Sequence, residues 1–411
     1  MALRASRLMT TAAAKAAMNA PPWREAASII LACRSSVSEV VGKNLAEMMS
    51  ATKFIKKTES GSEFQPCDYK VLMVKRSQLS SFMANAYVFP GGLAEKSDFA
   101  ADWFKVFEKC GVSEGQLRRD FVDSIGGPRP PMIENPITLT HNSNNAKLSD
   151  FLPADIGFRI CAIREMFEET GVLLLTRRAP SPGTKSCAFE EDIDQNAWRQ
   201  KLRSEPRALF DMCLENKVCP NIWALHEWAD WLTPVSVGHR RYDTMFYATC
   251  LDQTPNVVLD QSEVVSLRWT RPLAILAEYS NGSVFLAPPQ VYEMSRLANM
   301  SSYGQLSKFC QERNKLGIDR WLPVIGATSD GVVSLLPGDD LYPTEPDLLG
   351  VGPGPDFPFS LEEMRSRCSN LNRIDVQGPF ACAHCNITPS RGMLSPISYA
   401  GTSHVNFQSM I

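Results

Sequence analysis

Short apolar runs bounded by polar or turn-forming residues recur along the chain, and such runs are typical of strands. They predict strands at 27–33, 70–76, 86–90, 243–251 and 264–269. Between them, longer segments place apolar residues every three or four positions, which predicts helices at 99–109, 156–170, 195–216 and 288–299. No internal repeat is visible. The alternation predicts an α/β or α+β domain with long inserts, the largest of them helical.

The segment 156–170 has two distinct faces. At 100° per residue, its apolar side chains share an arc of about 60°, formed by Ile156, Ile160, Ile163 and Phe167. Its carboxylates share an arc of about 100° on the opposite side, formed by Glu165, Glu168 and Glu169. We expect the apolar stripe to pack onto a sheet and the carboxylates to project outward. Asp155 is the expected N-cap, and Gly171 the expected left-handed residue at the helix end.

The crowding of Glu165, Glu168 and Glu169 needs an explanation, because like charges three or four residues apart on a helix repel each other. Each such pair costs a few tenths of a kcal/mol, which is about what a favourable pair contributes. A solvated surface tolerates that cost, and so does a site that holds a cation. The amphipathic pattern alone leaves both interpretations open.

Composition narrows the class of protein. The chain has 411 residues, 44% hydrophobic and 21% charged, as expected for a globular protein with a large core. Its net charge of −3 gives no support for a polyanion-binding surface and no indication of DNA binding. No apolar run near the start approaches the roughly 20 residues of a membrane helix. The 12 scattered cysteines are interpreted as reduced thiols in an intracellular compartment.

The two ends differ from the middle. The first 24 residues carry basic but no acidic side chains and are rich in Ala, Ser and Thr. Residues 1–22 are therefore either a cleavable mitochondrial presequence or a disordered N-terminus. The last three residues, "SMI", do not match the Ser-Lys-Leu peroxisomal signal. Residues 346–411 are expected to form an irregular tail rich in Pro and Gly.

Two separated stretches complete a longer pattern. "YVFPGG" ends at Gly92, Asp98 follows after five residues, and "REMFEETGV" begins at Arg164. This arrangement resembles the signature of the Nudix hydrolases: Gly, five residues, Glu, seven residues, then Arg-Glu-apolar-any-Glu-Glu-any-Gly-apolar. The second half matches at every fixed position, through Arg164, Glu165, Met166, Glu168, Glu169, Gly171 and Val172. The chain departs from the signature in having Asp98 in place of Glu.

It departs again in length, since 65 residues separate Asp98 from Arg164, an insertion of 58. One Nudix subfamily, the nucleoside diphosphate-linked moiety X motif 19 type, carries a long insert at this point. Further stretches that resemble it cover most of residues 23–345, among them "WREAASIILA", "FMANAYVFPGG", "HEWADWLTP", "RRYDTMFYATCL" and "LLPGDDLYP". The resemblance implies a Nudix α/β/α sandwich around a mixed β-sheet over 23–345. The expected helical insertions are at about 99–157 and 177–230.

The resemblance also implies a reaction. The subfamily is regarded as an acyl-coenzyme A diphosphatase, which cleaves the diphosphate bridge of coenzyme A and acyl-CoA esters. The expected products are adenosine 3′,5′-bisphosphate and 4′-phosphopantetheine or its acylated form. Mg²⁺ or Mn²⁺ is the expected cofactor, because such ions prefer oxygen ligands and bind through carboxylates and substrate phosphates. A metal site would account for the crowded carboxylates.

Site residues follow from the same resemblance. Glu168 and Glu169 are the implied principal metal ligands, and Glu165 is a further ligand or the general base. Arg164 would orient a glutamate, and Gly92 would let the loop backbone pass close to the helix.

Four more residues are candidates with open alternatives. Asp98 either reaches the metal through water or is structural. Glu263 stands where many Nudix proteins place an additional acidic residue, and it either assists the metal and water or is an exposed loop carboxylate. Arg240 and Arg241 either contact phosphate, such as the 3′-phosphate of coenzyme A, or are surface charges or salt-bridge partners.

Two further hypotheses concern substrate and class. A Nudix diphosphatase acting on RNA caps or nucleotide sugars would have the same metal-binding helix. A ligand-binding module that has lost turnover would be expected to lack a metal glutamate, and all three are present. Localisation is divided between the mitochondrion, indicated by the N-terminus, and the peroxisome, associated with the subfamily.

Overall fold

The computed structural model describes residues 22–35, 67–80, 82–140, 147–179, 193–237, 240–259 and 264–397. Almost all of the predicted presequence and the candidate Glu263 lie outside these ranges. In the described part of the chain, no helix has the length and apolar character needed to cross a bilayer. The described cysteines form no disulfide with one another.

Within the described ranges, nine strands form the central sheet, and they include the predicted apolar runs. In chain order they are β1 (Trp23–Arg34), β2 (Tyr69–Arg76), β3 (Ala86–Val88), β4 (Gly91–Leu93), β7 (His226–Leu232), β8 (Arg241–Leu251), β9 (Val264–Thr270), β10 (Phe285–Leu286) and β11 (Arg320–Trp321). A short pair apart from this sheet consists of β5 (Leu175–Thr176) and β6 (Cys219–Pro220). The five predicted strands all coincide with strands of the central sheet.

The sheet is mixed, and β1 lies near its centre. The strand order is β10-β3-β2-β1-β8-β7-β11, with β4 also paired to β1 and β9 also paired to β2. β1 runs parallel to β8 along 11 residue pairs and antiparallel to β2 and β4. Because β2 pairs only with the end of β1, the two strands diverge, and the turn between β3 and β4 lies beside β1 in that gap.

Helices cover both faces of this sheet. In chain order the described α-helices are α1 (Trp103–Lys109), α2 (Glu114–Arg118), α3 (Pro131–Glu134), α4 (Ile137–Thr140), α5 (Ala154–Thr170), α6 (Gln195–Leu202), α7 (Ala208–Asn216), α8 (Pro272–Ser280), α9 (Pro288–Ala298), α10 (Tyr303–Arg313) and α11 (Leu361–Ser366). Alternate residues of β1 point to opposite sides. Ala27 and Ile29 pack with α5 and the insertion helices, whereas Ile30 and Ala32 pack with α8, α9 and α10. The predicted α/β/α sandwich around a mixed sheet is confirmed.

Two predicted helices are interrupted for local reasons. The segment 99–109 is a 3₁₀ turn, Lys96–Phe99, followed by α1, because Ala100 forms a β-bridge with Phe151 instead of continuing a helix. The segment 195–216 is divided into α6 and α7 at residues 203–207, which contain Pro206. Proline lacks the backbone N–H that a helix interior uses and collides with the preceding turn.

The helix that carries the three glutamates is α5, and its start differs from the prediction. It begins at Ala154 with Pro153 in the N-cap position, so Asp155 lies in the first turn and is not the cap. Asp155 is buried and paired with Arg129 from the first insertion. The predicted end is right: Gly171 follows Thr170 with φ of +73°, and its N–H donates to the carbonyl of Phe167.

Two other boundaries differ from the prediction. The "HEWADWL" stretch is strand β7 of the central sheet, so the helical part of the second insertion ends before 226 rather than at 230. The segment 346–411 is not wholly irregular, because it contains α11 and two strands of an antiparallel sheet. That sheet consists of β12 (Val324–Ala327), β13 (Val332–Leu335), β14 (Asn372–Gln377) and β15 (Phe380–Cys385).

Candidate active site

The turn between β3 and β4 brings two glycines against the end of α5. The N–H of Ile29 and the hydroxyl of Ser28 both donate to the carbonyl of Pro90, each at 2.8 Å, which fixes the turn beside β1. The N–H of Gly91 then donates to Oε2 of Glu169 at 3.0 Å. Glu169, one of the implied metal ligands, is therefore held by the backbone of the turn.

Both glycines are required by close approach. A Cβ on Gly91 would lie 2.4 Å from the carbonyl oxygen of Ala27, and a Cβ on Gly92 would lie 2.4 Å from Oε2 of Glu165. Real Cβ atoms do not approach other heavy atoms this closely, so any side chain at Gly92 would displace the carboxylate of Glu165. The space that Gly92 leaves is filled by that carboxylate.

Arg164 lies at the centre of the carboxylates. Its Nη1 donates to Oε1 of Glu165 at 2.8 Å and to Oε1 of Glu168 at 2.9 Å. Its Nε and Nη2 form a two-pronged pair with Asp98 at 2.8 and 2.9 Å, and Nη2 also donates to the carbonyl of Leu93 at 2.7 Å. A planar guanidinium suits such a bidentate carboxylate contact. We call Asp98, Arg164, Glu165, Glu168 and Glu169 the carboxyl-terminal cluster, after the carboxyl end of α5.

Asp98 has a structural environment. It is buried, both of its oxygens accept from Arg164, and Oδ2 also accepts from the N–H of Glu95 at 2.9 Å, which closes the 3₁₀ turn. The oxygens that a metal would need are thus engaged by the protein. Of the two alternatives for Asp98, the geometry favours the structural one, in which it orients Arg164.

The long insertion does not separate the two halves of the signature in space. Ala100 and Phe151 form an antiparallel bridge, and the N–H of Leu152 donates to the carbonyl of Phe99 at 2.8 Å. The insertion therefore leaves and re-enters the fold at adjacent points. As a result, Asp98 and Arg164 meet although 65 residues lie between them.

The carboxylates do not project into solvent as expected from the helical pattern. The side chains of Glu165 and Glu168 are 15% and 19% exposed, and Glu169 is buried. Burial, followed by the charge of Glu165, raises the pKa of Glu168 to about 7. Burial alone would lower the pKa of Arg164, but the charges of Asp98 and Glu165 hold it well above its usual value. These carboxylates therefore lie in a partly buried site and not on a solvated surface. Among the described residues of this site, acidic side chains outnumber basic ones.

The donor set fits a divalent metal ion. Three carboxylates from two adjacent turns supply hard oxygen ligands of the kind that Mg²⁺ and Mn²⁺ prefer. Two of them already share a single positive nitrogen, Nη1 of Arg164. The oxygens themselves are turned to Arg164 and Gly91, and within the described ranges no three acidic, imidazole or thiol groups are gathered around one point. The fit therefore rests on the chemistry of the donors.

The candidate phosphate-binding arginines have different environments. Arg240 is exposed. Arg241 is buried, and it donates to the backbone carbonyls of Thr233 and Leu348 at 2.8 and 2.7 Å while lying over the ring of Trp23. Its guanidinium holds two loops together, which argues against the phosphate role predicted for Arg241.

A second set of buried charges, not anticipated from the sequence, lies at the other end of α5. Arg129 forms a two-pronged pair with Glu227, both contacts at 2.7 Å, and also pairs with Asp155. Arg159 donates to Glu227 at 3.2 Å. We call Arg129, Asp155, Arg159 and Glu227 the amino-terminal cluster. Its members come from the first insertion, α5 and β7, so no local spacing in the sequence could have indicated it.

Comparisons with known proteins show which family this chain resembles along most of its length. The family model described as the NUDT19 Nudix domain matches residues 23–297, and the NUDT19 C-terminal domain matches 325–386. Proteins named acyl-coenzyme A diphosphatase NUDT19 are similar to this chain. The Xenopus laevis protein is 39% identical over 80% of this chain and 83% of its own. The Gallus gallus protein is 36% identical over 95% and 98%, and the Homo sapiens protein is 38% identical over 80% and 82%.

Proposed function

The chain belongs to the Nudix hydrolases of the NUDT19 type, and we propose that it hydrolyses the diphosphate bridge of coenzyme A and acyl-CoA esters. The observation that carries the proposal is the convergence of Glu165, Glu168 and Glu169 on Arg164 and the Gly91–Gly92 turn. Nudix hydrolases generally use a divalent metal, and the specific activity is supported by the names of the relatives. Mg²⁺ or Mn²⁺ is the proposed cofactor.

In the proposed reaction, water adds to one phosphorus of the diphosphate, and the bond from that phosphorus to the bridging oxygen breaks. The bridging oxygen leaves with the other phosphate, and two protons are released. Adenosine 3′,5′-bisphosphate and 4′-phosphopantetheine, or its acylated form, result. A bound divalent ion would neutralise phosphate charge and lower the pKa of the attacking water.

The site residues have different proposed roles in this reaction. Glu168 and Glu169 are the proposed metal ligands, because both lie near the end of α5 and Glu169 is fixed by the N–H of Gly91. Glu165 is the proposed further ligand or proton acceptor. Arg164 acts indirectly, by holding Glu165 and Glu168 in orientation, and Asp98 in turn holds Arg164.

The test is direct. The full chain is incubated with coenzyme A and Mg²⁺, and adenosine 3′,5′-bisphosphate is measured by chromatography. Glu168→Gln and Glu169→Gln are run beside Glu205→Gln, which changes an exposed glutamate far along the chain from the cluster. We expect product from the wild type and from Glu205→Gln, and almost none from the other two.

Parallel substrates separate the alternatives. Cleavage of capped RNA or a nucleotide sugar but not of coenzyme A would support the metal-binding role of α5 and reject coenzyme A as the substrate. Binding of these compounds without any turnover would reject the enzyme and favour a ligand-binding module.

A further inference from the structure

The last turn of α5 is completed by segments from elsewhere in the chain. The final carbonyls of a helix lack partners within it. In α5 the carbonyl of Phe167 accepts from the N–H of Gly171 at 2.9 Å, and that of Thr170 accepts from the N–H of Val258 at 2.8 Å. The carbonyl of Glu168 accepts from Nη2 of Arg199 at 2.8 Å. A side chain of the second insertion therefore binds the backbone of a proposed metal ligand.

Arg199 is held firmly in this position. It belongs to α6, whose N-cap Asp194 accepts from the N–H of Ala197 at 3.2 Å and whose Trp198 packs into the main core. Only 5% of Arg199 is exposed. Its Nη1 lies 3.3 Å from the point where a Cβ on Gly171 would be, so the guanidinium packs closely on the glycine that ends α5.

The position has an electrostatic consequence. The carboxyl end of a helix carries partial negative charge, and a cation there is stabilising. This end also carries Glu168 and Glu169, so Arg199 is the cation that the second insertion supplies to a negatively charged turn. Glu168 is thus contacted by two arginines, through its side chain by Arg164 and through its carbonyl by Arg199.

We propose that Arg199 is a positioning residue, through which the second insertion fixes the last turn of α5 and thereby sets the affinity of Glu168 and Glu169 for the metal ion. The inference rests on the proposed metal role of these glutamates. It assigns a function to an insertion that lies outside the signature. Groups that orient metal ligands typically change metal affinity by about 10- to 100-fold when they are removed.

The experiment measures metal binding without turnover. Mn²⁺ is titrated into the full chain and followed by electron paramagnetic resonance, for wild type, Arg199→Gln, Arg199→Lys and Arg203→Gln. Arg203 follows α6 and is exposed, so its replacement makes the same chemical change at an exposed position of the same insertion. Circular dichroism establishes which variants are folded.

We expect Arg199→Gln to weaken Mn²⁺ binding by at least about tenfold and Arg203→Gln to leave it unchanged. Arg199→Lys should lose less, because it keeps the charge but not the planar contact. In turnover, kcat and the Mn²⁺ requirement should change while KM for coenzyme A changes little. Wild-type Mn²⁺ affinity in folded Arg199→Gln would overturn the inference. If that variant does not fold, wild-type affinity in Arg199→Lys would overturn it.

Coenzyme A cleavage by the same proteins separates this inference from the proposed function. A graded loss of Mn²⁺ affinity without cleavage by the wild type would support the positioning role and reject the substrate. Cleavage by the wild type with equal Mn²⁺ affinity in all variants would support the substrate and reject the positioning role.

Discussion

The two ends of α5 both bury charged side chains, but in different proportions. The amino-terminal cluster pairs two arginines, Arg129 and Arg159, with the carboxylates of Asp155 and Glu227. In the carboxyl-terminal cluster, the single guanidinium of Arg164 contacts three carboxylates, and a fourth, Glu169, is held by a backbone N–H. Counted over the described residues, the first cluster has as many basic as acidic side chains, and the second has more acidic than basic ones.

The difference is visible in two glutamates. Burial alone would raise the pKa of Glu227, but hydrogen bonds from Arg129 and the charge of Arg159 lower it below its ordinary value. Burial and the charge of Glu165 instead raise the pKa of Glu168 to about 7. Burial disfavours a charged carboxylate, and nearby cations compensate for that cost. The balanced cluster therefore suits a structural role, and the unbalanced one suits the binding of a further cation.

The largest expected effect comes from unbalancing the amino-terminal cluster. Glu227→Gln would leave the buried Arg159 and the partly buried Arg129 without their shared carboxylate, which should lower the free energy of unfolding by about 3–5 kcal/mol. Urea denaturation measures this change. The control is Glu312→Gln, which breaks an exposed pair with Lys308 and should cost about 0.5 kcal/mol or less. Equal effects in the two variants would contradict a structural role for the cluster.

The next effect concerns the geometry of the carboxyl-terminal cluster. Gly92→Ala would place a Cβ where Oε2 of Glu165 now lies, and a displacement of about 1 Å in a catalytic group can cost about 10²-fold in rate. We expect a loss of that order in coenzyme A hydrolysis. Gly126→Ala is the matched control, because nothing lies within 4 Å of the added Cβ. Full activity of Gly92→Ala would mean that the position of Glu165 is unimportant.

Adding metal should stabilise the protein through one cluster only. A ligand at a hundredfold excess over its dissociation constant adds about 2.7 kcal/mol to the free energy of unfolding. We expect Mn²⁺ to raise the midpoint of thermal unfolding of the wild type, and a chelator to reverse the change. The shift should disappear in Glu169→Gln and persist in Glu312→Gln. Persistence in Glu169→Gln would place the bound ion elsewhere.

The smallest expected effect is that of Glu168→Gln on stability without metal. Because the pKa of Glu168 is about 7, its neutral form is already populated at neutral pH, and Gln resembles that form. The free energy of unfolding in chelator should stay within about 1 kcal/mol of the wild type, because the side-chain oxygen of Gln can still accept the hydrogen bond from Arg164. A loss comparable with that of Glu227→Gln would erase the contrast between the clusters.

Sequence patterns predicted the parts of this molecule that local rules determine. The limits of α5 were nearly right because its apolar stripe is periodic and Gly171 can adopt a positive φ. The predicted N-cap, Asp155, was wrong. The sequence does not reveal that Pro153 takes the N-cap position or that Asp155 pairs with Arg129.

Longer-range features were beyond such rules. Glu227 was missed because its partner Arg129 lies 98 residues away along the chain and its own strand has no simple alternation of apolar and polar residues. Arg199 was missed because an arginine in an insertion carries no signal of the carbonyl it will meet. The strands of the C-terminal sheet are short and carry charged and thiol residues, so their segment resembled irregular chain.

The bridge between Ala100 and Phe151 has a consequence for how this protein type can diversify. The insertion between these two residues begins and ends at adjacent points. The distance between its two ends therefore does not depend on its length. The entropic cost of closing a loop grows only with the logarithm of its length, by about 0.6 kcal/mol for each doubling. A segment anchored in this way can gain or lose residues over evolutionary time while the two halves of the signature keep their contact. Length can therefore vary in the parts of the insertion that make no such contacts, whereas the anchor and the pairs formed by Arg129 are constrained.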